Sequence, residues 1–221
     1  MANVLNFEKA RSNMVEQQVR PWEVLDGRVL DVIGSLKRED FVPVRYRKLA
    51  YADLAVPIGE GQSMLKPVVE GRILQALEVG ADDEILEVGT GSGYFAACLA
   101  RLGRMVTSVE SRPGLVETAR DRLQQAGIRN VQVEQADALS EFQPSLKYDV
   151  IAVTGAVTRV PEHFRDWLAP GGRLFVVHGI EPVMNATLIT RMGEEQFTEQ
   201  NLFETVIDYL DGAAPTPRFD L

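Results

Sequence analysis

Cysteine is nearly absent from these 221 residues. Cys98 stands alone, so the chain can close no disulfide within itself, and a reducing compartment suits it. It sits in Ala96-Ala97-Cys98-Leu99-Ala100, an apolar helix face, where a thiol acts as a small packing group rather than a nucleophile. Histidine is also scarce. His163 and His178 are too few for a histidine-rich metal cluster, and neither lies in a ligand-spaced motif. No stretch reaches the roughly 18 continuous apolar residues of a membrane span. Met1 to Glu8 lack the basic and apolar regions of a secretory leader. The expectation is a cytoplasmic chain with no membrane partner. Clustered basic charge is missing too: the formal net charge is −9, which disfavours a nucleic-acid partner. The richest basic run, Arg45-Tyr46-Arg47-Lys48, reads as a solvated helix face.

The apolar share of 45% is ordinary for a globular chain, and the length allows one α/β domain with a sizeable core. The most informative stretch is Glu84-Ile85-Leu86-Glu87-Val88-Gly89-Thr90-Gly91-Ser92-Gly93-Tyr94. An apolar run carries a carboxylate at Glu87, then three glycines alternate, then a helical segment begins. That order is a strand, a tight turn and a helix start, which brings a nucleotide-like ligand against bare backbone. A dinucleotide fingerprint would need its third glycine where Tyr94 stands, and a P-loop would need a Gly-Lys-Ser/Thr ending. Glu87 also sets negative charge beside the ligand, which disfavours a pyrophosphate. It suits a ligand with an amino group and a positive sulfur, such as S-adenosylmethionine.

A second strand, Met105 to Val109, ends in Glu110, about 20 positions beyond the glycines, where a carboxylate can accept from both ribose hydroxyls. A third, Val131 to Glu134, leads to Ala136-Asp137-Ala138, where Asp137 can accept from an adenine amino group. Three acids after three consecutive strands would share one edge of a parallel sheet. The cofactor wall is therefore assigned to Glu87, Gly89, Thr90, Gly91, Ser92, Gly93, Glu110, Ser111, Leu115, Ala136, Asp137, Ala138 and Thr154.

One domain is expected over residues 1–221. Residues 1–80 form a helical extension and substrate segment, 81–211 a cofactor-binding sheet core, and 212–221 a small, Pro-rich, frayed tail. Apolar residues Phe7, Ala10, Met14 and Val15 predict a helix to Val19 that Pro21 ends. Asp26 caps a second helix, a short one follows near Val44 to Leu49, and residues 51–66 are extended or looped. Pro67 opens a helix with Val69, Ile73, Leu74 and Leu77 on its buried face. From Glu84 strands and helices alternate, the pattern of a doubly wound, mostly parallel sheet. The fourth strand is Asp149 to Thr154. A helix holds Phe164, Trp167 and Leu168, and Gly171-Gly172 turns into a fifth strand, Arg173 to His178. Ala186 to Arg191 and Leu202 to Ile207 form a closing antiparallel pair.

These segments together resemble the protein-L-isoaspartate O-methyltransferases, a family within the S-adenosylmethionine-dependent methyltransferases. The likeness runs through Arg11-Ser12-Asn13-Met14-Val15, Arg38-Glu39-Asp40-Phe41-Val42-Pro43, Ala50-Tyr51-Ala52-Asp53 and Pro57-Ile58-Gly59-Glu60-Gly61-Gln62. It continues through the glycine loop and Tyr148-Asp149-Val150-Ile151, and closes at Leu168-Ala169-Pro170-Gly171-Gly172-Arg173-Leu174. The resemblance implies a Rossmann-like methyltransferase fold and S-adenosyl-L-methionine as methyl donor. The implied acceptor is the free carboxylate of an L-isoaspartyl residue in a damaged protein or peptide. Such a carboxylate is already ionised at neutral pH, so a Ser/His/Asp or Cys/His arrangement is not required, and none is present.

The chain departs from the family at one segment. Where the family reads Thr-Ile-Ser-Gln-Pro, this chain reads Ser63-Met64-Leu65-Lys66-Pro67, so Leu65 stands at the position of the substrate-contacting serine. If the segment is extended, Ser63 and Leu65 share a side. Ser63 then either supplies the hydroxyl or only satisfies a loop, and Lys66 is a candidate to attract the acceptor carboxylate. Val177-His178-Gly179 also replaces the family's Pro-Val-Gly. Three alternatives to the isoaspartyl reaction stay open: a methyltransferase of the same fold with another acceptor, a catalytically weak cofactor-binding protein, and, last, a nicotinamide dehydrogenase. Oligomeric state is not legible.

Overall fold

A computed structural model of the chain describes residues 6–216. Its centre is a seven-stranded sheet made of β3 (Glu84–Val88), β4 (Met105–Glu110), β5 (Val131–Gln135), β6 (Tyr148–Val153), β7 (Leu168–Ile180), β8 (Val183–Arg191) and β9 (Phe197–Thr205). The strands lie in the order β5-β4-β3-β6-β7-β8-β9. The first five are parallel, and β8 and β9 close the sheet antiparallel. The chain winds outward from β3 to β4 and β5, then returns to place β6 on the other side of β3. The carboxyl ends of β3 and β6 therefore flank a topological switch point, where open α/β sheets bind ligands.

Both faces of the central strands are buried, and the period-two alternation divides them. Ile85, Val106, Val150, Ala152, Phe175 and Val177 face one cluster, with Tyr94, Leu99, Ile73 and Leu74 from the helices. Leu86, Val88, Ile151, Val153, Leu174 and Val176 face the other, with Phe164 and Trp167. The first layer is the heavier. It holds α3 (Pro67–Leu77), α4 (Tyr94–Leu102) and α5 (Pro113–Gln125), and α1 (Phe7–Met14) and α2 (Gly27–Ser35) pack onto it. The second is built on α6 (Glu162–Asp166) and the turns around it.

Several local expectations are corrected. Pro21 does not stop the first helical run. A π turn over Val15–Val19 and a 3₁₀ turn over Arg20–Trp22 carry it further, because wider and tighter hydrogen bonding accommodates a residue with no N–H. The run ends where Glu23 turns left-handed at φ 64°. The short helix expected near Val44 to Leu49 spans those residues as a 3₁₀ helix and carries the basic stretch at 45–48. Residues 51–66, expected to be extended or looped, do contain extended chain, a small antiparallel hairpin of β1 (Val56–Gly59) and β2 (Gln62–Met64) turned by Glu60 and Gly61. Trp167 and Leu168 fall outside α6, and Leu168 opens β7. Gly171-Gly172 interrupts that strand at a register shift instead of preceding it. Of the expected tail, residues 217–221 lie outside the described residues.

Candidate active site

A cleft enclosing about 780 Å³, open solvent at its mouth included, lies over the carboxyl ends of β3, β4, β5 and β6. Its floor is the glycine turn. Gly89, Gly91 and Gly93 all take positive φ, at 99°, 51° and 82°, which side chains with a Cβ adopt rarely. At Gly89 a Cβ would also lie 2.6 Å from Thr154 Oγ1. Thr154, at the end of β6, donates its hydroxyl to the Gly89 carbonyl at 2.6 Å and pins the turn across the switch point.

Glu110 lies on the wall, 7% exposed. Its Oε2 accepts from the Gly91 N–H at 2.8 Å and its Oε1 from the Arg112 N–H at 3.1 Å. These two bonds aim the carboxylate and leave lone pairs on both oxygens for a diol. Asp137 is on the same wall and caps its own turn, accepting from the Leu139 N–H at 2.8 Å and the Ser140 hydroxyl at 2.7 Å. The cleft thus brings together Gly89, Thr90, Gly91, Ser92, Glu110, Ser111, Leu115, Ala136, Asp137, Ala138 and Thr154, with Ser63 and Leu65 opposite. A bare turn, a carboxylate aimed for a diol and a second carboxylate one strand further out fit an adenine nucleoside.

Three expected residues stand elsewhere. Gly93 supports the turn from behind, where its Cβ position abuts Ala119. Lys66 is exposed and lines a neighbouring cleft with Glu181, Ile207 and Asp208; Met64 and Leu65 separate the two clefts, lining both. Glu87 is fully buried and accepts from the Ser108 hydroxyl, which in turn lies 2.6 Å from Thr90 Oγ1. Successive side chains of a strand point to opposite faces, so Glu87 turns into the core while the chain beyond Val88 opens onto the cleft. Burial pushes the Glu87 carboxyl up to about 8, against the Ser108 hydrogen bond, with Glu110 and Glu70 adding to the rise. Its Oε1 has no partner among the described residues. The acid ahead of the glycines therefore braces the turn and does not line the cleft.

Other wall residues escaped sequence reasoning. Glu70, in the first turn of α3, is 2% exposed and lines the cleft. The Arg38 guanidinium, fully buried, donates to Glu70 Oε2 and to the Leu65 carbonyl, so one cation ties the substrate segment to α3. Burial pushes the Glu70 carboxyl up to about 7, while Arg38 pulls it down. The available signal was an acid on the helix's apolar face, three and four positions ahead of Ile73 and Leu74. Leu210 and Asp211 also close over the cleft. Asp211 accepts from Ser111 Oγ and Arg112 Nε, both at 2.8 Å, a contact across 100 positions of chain that no local pattern announces.

The sequence profile of the family described as protein-L-isoaspartate(D-aspartate) O-methyltransferase matches residues 9–208. A protein-L-isoaspartate O-methyltransferase of Methanoculleus marisnigri is 40% identical over 166 residues, 75% of this chain and 76% of the relative. One from Brucella anthropi is 34% identical over 198 residues, 89% and 91% of the two chains. A Plasmodium falciparum structure described as this type of enzyme, in complex with S-adenosyl-L-homocysteine, superposes with a TM-score of 0.80 at 18% identity. It covers 94% of this chain and 99% of that one, and at this identity the likeness concerns the fold alone. Fold, cleft and relatives define an S-adenosylmethionine-dependent methyltransferase. Within that class, the chain belongs to the protein-L-isoaspartate(D-aspartate) O-methyltransferase family.

Proposed function

We propose that this chain transfers a methyl group from S-adenosylmethionine to the free carboxylate of L-isoaspartyl residues in damaged proteins or peptides. The observation that carries this is the arrangement of the cleft in a chain of this family: a nucleoside wall at Gly89, Gly91, Glu110 and Asp137, facing the substrate segment Ser63-Met64-Leu65. When bound, the cofactor supplies a methyl group on a positive sulfur. The protein's share is binding, alignment and exclusion of water. Glu110 holds the ribose and Asp137 the adenine amino group. Arg38 fixes the backbone at Leu65 so that the acceptor approaches along one line. An isoaspartyl carboxylate is ionised at neutral pH and needs no base. Holding nucleophile and methyl in line can supply up to about 7–11 kcal/mol in favourable cases.

Ser63 serves as the hydroxyl that Leu65 lacks, since both line the same cleft. Lys66, in the adjoining cleft, attracts the acceptor rather than touching the reacting carboxylate. Incubation with labelled cofactor and an isoaspartyl peptide is expected to yield a volatile methyl ester. No ester above a Gly91→Asp control, in a preparation that binds S-adenosylhomocysteine, rejects the acceptor.

A second reading has one observation in its favour: Leu65 and Met64 make the acceptor side of the cleft apolar, which suits a methyltransferase with a different acceptor. Leu65→Ser separates the two. On the isoaspartyl reading, with Ser63 already supplying the hydroxyl, it leaves an existing kcat/KM within about tenfold, the worth of one hydrogen bond to a charged group. Activity that exists only in the variant points to another natural acceptor.

A further inference from the structure

With Glu87 turned into the core, the cleft needs another partner for the positively charged end of its ligand. Along the sheet edge the sites follow the strand order. Asp137 follows β5, Glu110 follows β4, and the glycine turn follows β3. A nucleoside with adenine at Asp137 and ribose at Glu110 must send its amino-acid portion past β3 toward α3 and the substrate segment. The charged group on the wall there is Glu70. It is 2% exposed, so the little surface it has belongs to the cleft. Arg38 engages only Oε2, and Oε1 has no hydrogen-bond partner among the described residues. Charge points the same way: Glu70 and Glu110 both raise the proton affinity of Glu87, so negative charge gathers behind this wall and a cation beside it relieves that repulsion.

We infer that Glu70, through Oε1, accepts a hydrogen bond from the ammonium of the cofactor's methionine portion, while Arg38 holds the opposite oxygen. This rests on the cofactor reading of the cleft and assigns its third anchor, after Asp137 for adenine and Glu110 for ribose. It also gives the buried Arg38–Glu70 pair a task beyond packing. The guanidinium works against the burial that favours the neutral acid and aims the carboxylate, and the same guanidinium holds Leu65, so binding of the ammonium and placement of the acceptor segment share one scaffold.

Calorimetry with two ligands tests it: S-adenosylhomocysteine, and 5′-S-(3-carboxypropyl)-5′-thioadenosine, which lacks only the amino group. The wild-type chain is expected to bind the first about tenfold to hundredfold tighter, the range for a hydrogen bond between charged groups. Glu70→Gln should collapse that preference to within about threefold, by weakening S-adenosylhomocysteine and leaving the deaminated ligand unchanged or tighter. Because Glu70→Gln leaves Arg38 buried without its counter-ion, the double variant Arg38→Met/Glu70→Gln removes both charges and must show the same collapse. Equal weakening of both ligands, in either variant, would mean that Glu70 is only the counter-ion of Arg38. A wild-type chain that does not discriminate between the ligands overturns the inference and leaves the cofactor reading standing. A wild-type chain that binds neither ligand overturns both.

Discussion

Glu110 has a structural task in the glycine turn and, on the proposed function, a ligand task as well. It carries the Gly91 and Arg112 amides on its two oxygens, and each retains acceptor capacity toward the cleft. Glu110→Ala therefore removes the tether of the glycine turn together with the proposed ribose acceptor. A hydrogen bond to a charged group is worth about 1.5–3 kcal/mol, so affinity for S-adenosylhomocysteine should fall about tenfold to hundredfold by calorimetry. An unchanged affinity removes Glu110 from the site. Positions such as Glu110 and Asp137 were legible because an acid after a strand, at a set distance from a glycine turn, has a mechanical meaning. Glu87 shows where that logic stops. Its strand is buried on both faces, so sequence alone does not say whether its side chain meets ligand or core.

At the scale of elements, two contacts carry the site's walls. The helix α3 packs closely enough on the N-terminal segment that a Cβ at Gly71 would lie 2.8 Å from Val19 Cγ1 and 3.2 Å from Val24 Cγ2. Gly71→Ala would gain up to about 1 kcal/mol of helix propensity. Overpacking against two β-branched side chains costs about 1–3 kcal/mol. The net expectation is a destabilised variant, about 1 kcal/mol less stable in urea unfolding, and a gain in stability would show that the segment yields. On the other side, Asp211 clasps Ser111 and Arg112. The Arg112 hydrogen bond holds the Asp211 carboxyl below its usual range. The pair is substantially exposed, at 23% and 40%, so solvent screens it. Asp211→Ala should change global stability by less than about 1 kcal/mol. It should, however, speed dissociation of S-adenosylhomocysteine in stopped flow, because Leu210 and Asp211 roof the cleft. An unaltered rate would mean that the roof does not control release. Neither contact was readable in advance. The segment before Gly212 carries no periodic signal, and its partner lies about one hundred positions away.

For the whole molecule, the buried acids govern how stability follows pH. Glu87 and Glu70 have folded-state values pushed by burial to about 8 and about 7, above the ordinary carboxylate range. The folded chain thus keeps protons that the unfolded chain releases near pH 4.5. Their contribution is complete below that pH and declines as pH rises through about 7 and 8, by about 1.4 kcal/mol per pH unit for each group. Asp211 acts in the opposite sense, weakly, as pH falls through the lower carboxylate range. Without ligand, the chain should be more stable near pH 5 than near pH 8.5 in denaturant titrations, and Glu87→Gln should flatten that slope. A wild-type slope of the opposite sign shows that Glu87 is ionised in the folded state. The sheet that buries these acids followed the alternation of strands and helices, and the closing antiparallel pair fell near where its apolar runs lie. The boundaries moved where backbone geometry outweighed pattern, as in β7, which begins before its glycine pair.

Composition, apolar periodicity and the glycine spacing were enough to determine an α/β sheet, the strand that carries the turn and the two acids that follow the next strands. Each is a local regularity in which the side-chain period or the freedom of glycine dictates the outcome. Only the tertiary structure decided that Glu87 faces inward, that Glu70 reaches the cleft on the arm of Arg38, and that the chain around Asp211 folds back over Arg112. Those outcomes depend on which buried charge finds which distant partner once water is excluded, and separation along the chain carries no record of that pairing.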